Sequence, residues 1–216
     1  MASTDTDICN MALMYIGEGV NLISSLDEDS TEAKTCKFWF DRRRDLLMEV
    51  WPWEVAKEYA TLTLVANDPN PDWRYSYRYP TDCLFAERVL KGGDNTRYPE
   101  SDPRVPFTTG QDDQGWLIFT DQTPACLKYV RRLTNTAYWK ESFIDALAWS
   151  MAGVLALPLG RAVAFMTNAD AKYQAALADA ESVSANEPTD DPEEPSNAIR
   201  DRQGVPGGSY TRPIGG

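Results

Sequence analysis

The stretch YWKESFIDALAWSMAGVLAL, residues 138–157, decides the fold of this chain. Its apolar side chains recur at the spacing of an α-helix, which predicts one buried helical face. Pro158 and Gly160 follow directly and are expected to end the helix. The predicted face consists of Trp139, Phe143, Ala146, Leu147, Ser150, Val154 and Leu157.

A second periodic stretch follows at about residues 161–184 and predicts another helix. Much of its stripe is alanine, which lets a neighbouring helix approach closely. The stripe consists of Val163, Met166, Ala169, Tyr173, Ala176, Leu177, Ala180 and Val183.

Two more helices are predicted near the start of the sequence. The first begins near Thr4, where Asp7 can complete a capping box, and Gly17 ends it in a left-handed conformation. The second begins at Asp29, with Glu32 as its reciprocal cap. We expect the helices from both ends of the chain to pack together.

Between these two pairs of helices, the periodicity changes to that of β-strands. Residues 59–65 alternate like a strand, and in residues 73–80 aromatic side chains alternate with Arg or Ser. This aromatic ladder is either the buried face of a sheet or a platform for stacking a sugar or a base. Residues 91–114 predict a long loop, and residues 115–120 and 125–130 predict the two strands of a hairpin.

Together these elements predict an α+β fold, in which a four-helix bundle carries an inserted antiparallel β region and an extended C-terminal tail. The predicted helical bundle domain comprises residues 1–54 and 136–185. The β-rich insertion comprises residues 55–135, and the tail comprises residues 186–216.

The composition excludes several classes of function. The chain has 216 residues and a net charge of −12, which argues against a grip on nucleic acid, because such a grip needs clustered Lys and Arg. The sequence has no His, which excludes Ser-His-Asp and Cys-His catalysis and His-ligated metal sites. The four isolated cysteines are interpreted as buried thiols of a reduced compartment.

The sequence predicts neither secretion nor a membrane span. The acidic and polar start of the sequence is unlike a signal peptide, and no apolar run approaches the ~20 residues that a span requires. We therefore expect synthesis in the cytoplasm and no membrane partner.

No motif in the sequence carries a reaction, so we predict no enzyme and no catalytic, metal-binding or cofactor-binding residues. Neighbouring carboxylates such as Asp112 and Asp113 leave a glycosidase-type pair as the alternative. The run Asp27, Glu28 and Asp29 has a simpler interpretation, because a helix N-terminus favours negative charge.

The densest basic run of this acidic chain is Arg42, Arg43 and Arg44, flanked by Asp41 and Asp45. It suggests a phosphate site, but a solvated or intersubunit face is the favoured interpretation. We predict that the three arginines pair with acids of a neighbouring subunit.

The last stretch of the sequence has the composition of a segment that orders only on binding. Ten of the 31 residues from Asn186 to Gly216 are Pro or Gly, and the apolar side chains are few. We expect this tail to bind a partner or a neighbouring subunit, and the alternative is that it folds back on its own domain. Its candidate binding residues are Ile199, Arg200, Arg202, Tyr210, Arg212 and Ile214.

Short motifs in a characteristic order resemble the tail tubular protein A group, the head-to-tail adaptor proteins of short-tailed bacteriophages. They cover most of residues 5–180, and the tail carries no motif of the group. They are Ile8-Cys9-Asn10-Met11-Ala12-Leu13, Ile16-Gly17, Ile23 to Ser30, Glu32-Ala33, Cys36, Arg43, Leu46-Leu47, Trp51-Pro52-Trp53, Trp73, Tyr75, Tyr77, Tyr79 to Leu84, Lys128-Tyr129 and Phe143.

The resemblance implies a structural virion protein at the head-tail junction. Such adaptors form a homo-oligomeric ring of about twelve copies beneath the portal protein, joined by heterologous contacts. The ring joins the portal to the tail nozzle protein and continues the channel through which DNA passes during ejection. The alternatives are a tail-associated enzyme that cleaves polysaccharide or peptidoglycan, and a related head-completion or tail-terminator connector.

Two further expectations follow for a ring of this kind. The channel wall should be acidic or neutral, because like charge keeps DNA phosphates from sticking, with a screening length of ~8 Å at physiological salt. The tail should be the main anchor to the portal or an adjacent subunit. The alternative is that the loop at residues 91–114 makes the portal contact.

Overall fold

Within residues 3–51, 53–65, 72–91 and 105–185, the ranges that the computed structural model describes, the chain forms four α-helices and seven β-strands. The helices are α1 (Asp5–Tyr15), α2 (Thr31–Val50), α3 (Glu141–Leu155) and α4 (Val163–Ala185). The strands are β1 (Lys57–Thr61), β2 (Thr63–Leu64), β3 (Tyr75–Arg78), β4 (Cys83–Lys91), β5 (Phe107–Asp112), β6 (Gly115–Thr120) and β7 (Ala125–Arg131). The predicted tail, residues 186–216, lies outside the described residues.

Local capping sets the start of the first two helices. The Asp7 amide donates to Thr4 Oγ1 at 3.2 Å and the Thr4 amide donates to Asp7 Oδ2 at 2.8 Å, which confirms the predicted capping box. Gly17, with φ of 81°, follows the end of α1, as predicted. The predicted cap of α2 at Asp29 is wrong, because Ser30 Oγ accepts the Ala33 amide at 3.1 Å.

The helices do not form the predicted four-helix bundle. Instead α3 is a central helix, and α1, α2 and α4 each pack against it. Ten of the 15 residues of α3 are buried. By contrast, α4 buries only Ala169, Leu177 and Ala180 among its described side chains. A bundle would require every helix to contribute a full stripe to one shared core, whereas α4 covers α3 from outside.

The strands form two antiparallel sheets, with the orders β1-β7-β4 and β2-β3-β6-β5 among the described residues. The predicted hairpin of residues 115–120 and 125–130 is wrong, because β6 and β7 lie in different sheets. β6 pairs with β3 and β5, and β7 pairs with β1 and β4. The tight connection joins β5 to β6 instead, where Gly115 has a φ of 128°.

The long loop predicted at residues 91–114 is wrong in part. β4 ends at Lys91, and β5 occupies residues 107–112 of the predicted loop. β5 is an edge strand whose side chains are exposed or half-buried, so it lacks the apolar alternation that indicates a strand. Residues 92–104 lie outside the described residues.

A second core lies between the two sheets, and it explains the aromatic ladder. Tyr77 is only 1 % exposed, and its hydroxyl donates to the Gln122 carbonyl at 2.8 Å. Tyr75 and Tyr79 pack against the same cluster. The ladder is therefore the buried face of a sheet rather than a stacking platform.

We expect Gly110→Val to destabilise the chain by about 1–3 kcal/mol. The ring of Phe119 lies against Gly110 in the β5-β6 pair, so that a Cβ on Gly110 would lie 3.0 Å from Phe119 Cζ and closer still to Cε2. Urea denaturation measures the effect. Gly19→Ala is the control, because a Cβ there meets nothing within 4 Å. Equal stability of the two variants would contradict the prediction.

Candidate functional site

The three arginines of the basic run point in three directions, because successive residues of a helix are about 100° apart. The Arg44 side chain is only 7 % exposed. Its Nη1 donates to Asp41 Oδ1 at 2.7 Å, and its Nε and Nη2 donate to Asp45 Oδ1 at 2.9 and 2.7 Å. Asp45 Oδ2 also accepts from Arg132 Nε at 2.8 Å, so that Arg44 and Asp45 link α2 to the segment after β7.

The other two arginines of the run lie in different surroundings from Arg44 and from each other. Arg43 Nε donates to Ser150 Oγ at 2.8 Å and connects α2 to α3. Arg42 is exposed, and its Cζ lies 4.8 Å from the centre of the Phe38 ring. Of the three predicted intersubunit residues, Arg42 is the one that faces outward.

Arg42 belongs to an exposed, largely apolar strip that we call the α2 outer face. Its members are spaced four residues apart and therefore share one side of the helix. Phe38 is 57 % exposed, Leu46 42 % and Val50 50 %. The sequence interpretation did not predict this strip. The four-residue spacing on the otherwise polar side of α2 was the signal that could have revealed it.

A second exposed apolar surface, the helical end patch, lies where the end of α1 meets the connection from α3 to α4. Arg161 Nε donates to the buried Glu18 Oε1 at 2.7 Å and joins the two segments. This contact lowers the pKa of Glu18. A Cβ on Gly17 would lie 3.8 Å from the Phe165 ring. The exposed apolar residues of the patch are Met14, Val20, Leu22, Leu157, Val163 and Phe165.

The motif residues quoted above have structural roles in the described part of the chain. The Asn10 side chain holds Ile23 by two hydrogen bonds of 2.9 Å, one to its carbonyl and one from its amide. Glu28 Oε2 accepts from the Ser24 amide at 2.9 Å. Trp53 Nε1 donates to the Leu47 carbonyl at 2.9 Å. These contacts fix the links between elements.

The acidic run before α2 also has local partners. Lys37 pairs with Asp27 at 2.6 Å, and Lys34 pairs with Asp29. The backbone and hydroxyl of Ser24 lower the pKa of Glu28. Each carboxylate of the run thus has its own local partner. Among the described residues, no three His, Cys, Asp or Glu side chains come together as ligands for a metal ion.

Of the neighbouring carboxylates Asp112 and Asp113, Asp112 forms a salt bridge with Arg78. Arg78 Nη1 and Nη2 donate to the two oxygens of Asp112 at 2.7 and 2.9 Å. This guanidinium lowers the pKa of Asp112 to about 2. Asp112 is therefore ionised at neutral pH and holds no proton that a general acid could donate.

We expect Asp112→Asn to lower stability at neutral pH by an amount that shrinks in acid. The folded-state pKa is lowered from 3.8 to about 2, so the salt bridge contributes fully above the unfolded value and is lost as the pH falls toward 2. Urea midpoints measured from pH 7 to pH 2 test this. Asp113→Asn is the control, and a stability difference between wild type and Asp112→Asn that does not change with pH would contradict the prediction.

An open groove of about 340 Å³ lies between β4 and β5, and we call it the edge groove. Tyr79, Phe85 and Phe107 supply its aromatic lining. The remaining lining residues are Ala86, Thr108 and Thr109. The sequence interpretation missed this groove because it did not predict β4 or β5.

The predicted tail residues Ile199, Arg200, Arg202, Tyr210, Arg212 and Ile214 all lie outside the described residues. None of the described helices is both long and apolar enough to cross a membrane. Neither a comparison with protein-family models nor one with curated proteins gives a match for this chain.

Proposed function

We propose that this chain is a structural protein of a bacteriophage virion, a head-to-tail adaptor whose ring joins the portal to the tail nozzle and continues the DNA channel. The observation that carries the proposal is the role of the adaptor-like motif residues. Asn10, Ser24, Glu28 and Trp53 all hold backbone links between elements. Motif residues with an architectural role fit a protein whose task is assembly.

The exposed apolar surfaces supply contact area for such a ring. A ring of identical subunits needs two different faces on each copy, one meeting the other on the next copy. The α2 outer face and the helical end patch are two separate exposed apolar surfaces, and exposed apolar patches of this kind mark interaction sites. Arg42 then contributes the positive charge that we expect to pair with an acid of the neighbour.

The net charge of −12 per chain suits a ring around DNA. Many copies concentrate negative charge around one axis, which disfavours adhesion of the phosphate backbone. The predicted wall of the channel is acidic or neutral, so that DNA passes without specific binding.

The local geometry of the carboxylates does not favour a polysaccharide-cleaving enzyme. A glycosidase needs one carboxylic acid that keeps its proton and a second carboxylate across the cleft. Asp112 is instead held ionised by Arg78. Asp27 and Asp29 each bind a lysine.

Co-expression with the portal protein encoded by the same genome tests the proposed function. We expect the chain to co-purify with the portal and to appear in electron micrographs as a closed ring on one end of it. A chain that stays monomeric beside the portal and hydrolyses purified peptidoglycan would contradict the proposal. A ring seen only at the far end of an assembled tail would favour a tail-terminator connector.

A double variant tests the contribution of the α2 outer face to the ring. We expect Phe38→Ser with Leu46→Ser to leave the urea midpoint nearly unchanged, because both side chains are already exposed. Mass measurement of the portal complex should show loss of the bound ring. Tyr138→Ser is the matched control, because Tyr138 is 59 % exposed and lies outside both apolar surfaces. Equal ring formation by the double variant and the control would exclude the α2 outer face as a subunit contact.

A further inference from the structure

The outer edge of β5 is available for pairing within the described part of the chain. β5 pairs with β6 from Phe107 to Asp112 and ends the order of the four-stranded sheet. An edge strand presents a row of backbone N–H and C=O groups that can pair with a further strand. The edge groove runs beside this strand.

The groove adds an apolar lining to the strand edge. A single bridge between Val89 and Val105 connects β4 to the segment two residues before β5, and no ladder joins the two strands in the described ranges. Phe85, which is 50 % exposed, faces the resulting opening with Tyr79 and Phe107. A strand edge next to pockets for alternate side chains is the geometry by which a sheet binds an extended peptide.

The chain itself contains a segment with the matching pattern. Tyr210, Arg212 and Ile214 alternate with smaller residues in the sequence Ser209-Tyr210-Thr211-Arg212-Pro213-Ile214. In an extended strand, alternate side chains lie on one face, so the three larger ones could enter the groove together.

Pro213 fits the same arrangement. In a strand added to an edge, backbone groups of alternate residues point toward and away from the sheet. If the nitrogen of Pro213 points away from β5, the amides of Tyr210, Arg212 and Ile214 point toward it and no hydrogen bond is lost. The proline would also prevent a further strand from adding to the new edge.

The length of chain after α4 permits the contact between copies. The 24 residues 186–209 separate Ala185 from Tyr210. At ~3.3 Å per residue they span up to ~80 Å, several times the ~16 Å radius of gyration of a domain of this size.

We propose that residues Ser209–Ile214 of one copy bind the edge groove of a neighbouring copy as an added strand beside β5. This inference rests on the proposed function, since it places the contact in the adaptor ring. It assigns the predicted tail contact to an adjacent subunit and identifies the surface that receives it.

Photochemical cross-linking in the portal-bound ring tests the proposal. Full-length chains carry p-benzoylphenylalanine in place of Tyr210, and rings are assembled from equal amounts of unlabelled and ¹⁵N-labelled copies. We expect cross-links between copies of different mass, joining position 210 to residues 79–86 or 107–109. Cross-links to the portal, to residues 92–104, or only within one copy would overturn the inference while leaving the ring intact. If no ring forms, the proposed function fails and the inference fails with it.

Paired substitutions in the segment give a second measurement on the full chain. Tyr210→Ser with Ile214→Ser should weaken retention of the ring on the portal about tenfold. In chains that carry the photoreactive residue in place of Phe85, the same pair should reduce cross-linking from position 85. Ser209→Ala with Thr211→Ala is the matched control, because these residues occupy the opposite face of the strand. Equal effects of the two pairs would overturn the assignment of Tyr210 and Ile214 to the groove.

Discussion

Arg44→Met is expected to destabilise the chain by about 3 kcal/mol, the low end of the range for breaking a buried ion pair. The substitution removes hydrogen bonds to Asp41 and Asp45 while the apolar stem still packs. Asp45 keeps its contact with Arg132 and Asp41 is exposed, which is why the low end applies. The shift of the urea midpoint, with the slope of the transition unchanged, measures the loss.

Arg42→Met provides the matched control within the same run. Arg42 contacts the Phe38 ring at the surface, and we expect a change in stability within about 0.5 kcal/mol. For ring formation the expected order of the two variants is reversed. Arg42→Met should reduce ring formation on the portal more than Arg44→Met does. Equal destabilisation by the two substitutions would show that burial of Arg44 does not determine its contribution.

Ending the chain after Ala185 is expected to abolish retention of the adaptor on the portal while leaving the fold intact. The helices and strands of the described residues all lie within residues 5–185. The urea midpoint of the truncated chain should therefore match that of the full chain. Co-purification with the portal, and retention of packaged DNA in particles that carry the truncated gene, measure the loss.

The control for the truncation is a full-length chain in which residues 199–214 are replaced by Gly and Ser at the same length. If the side chains of the tail bind, this chain should fail as the truncated one does. Normal attachment by both variants would show that the tail is not the anchor and would favour the surfaces on α2 or in the β region. Failure of the truncated chain alone would assign the effect to tail length.

Some parts of the fold could be predicted because they depend on neighbours in the sequence. Thr4 and Asp7 lie three residues apart and cap α1 wherever that helix packs. The alternation around Tyr77 predicted a strand with an aromatic face, and the spacing of Phe143 and Leu147 predicted the buried face of α3. Each of these signals involves only residues that lie close together in the sequence.

The candidate contact surfaces required information on which elements lie together. The sequence alone does not distinguish the three arginines of the run at residues 42–44. In the structure, Arg43 donates to Ser150 of α3 and Arg44 donates to Asp41 and Asp45. Arg42 lies over the ring of Phe38. The edge groove depends on β4 and β5, which carry no strong strand pattern. Which residues are exposed for a contact depends on packing between elements that are far apart in the sequence.

The sequence by itself determined the element types with clear periodicity, the helix starts and ends with local caps, and the acidic, His-free character that excludes whole classes of chemistry. Only the tertiary structure decided that α3 is central, that β6 and β7 belong to different sheets, and that Arg42 faces outward. The physical reason is the sequence separation over which each kind of interaction acts. Capping and periodicity act over a few residues, whereas strand pairing and helix packing join residues that are far apart in the chain and compete with other partners for the same buried surface.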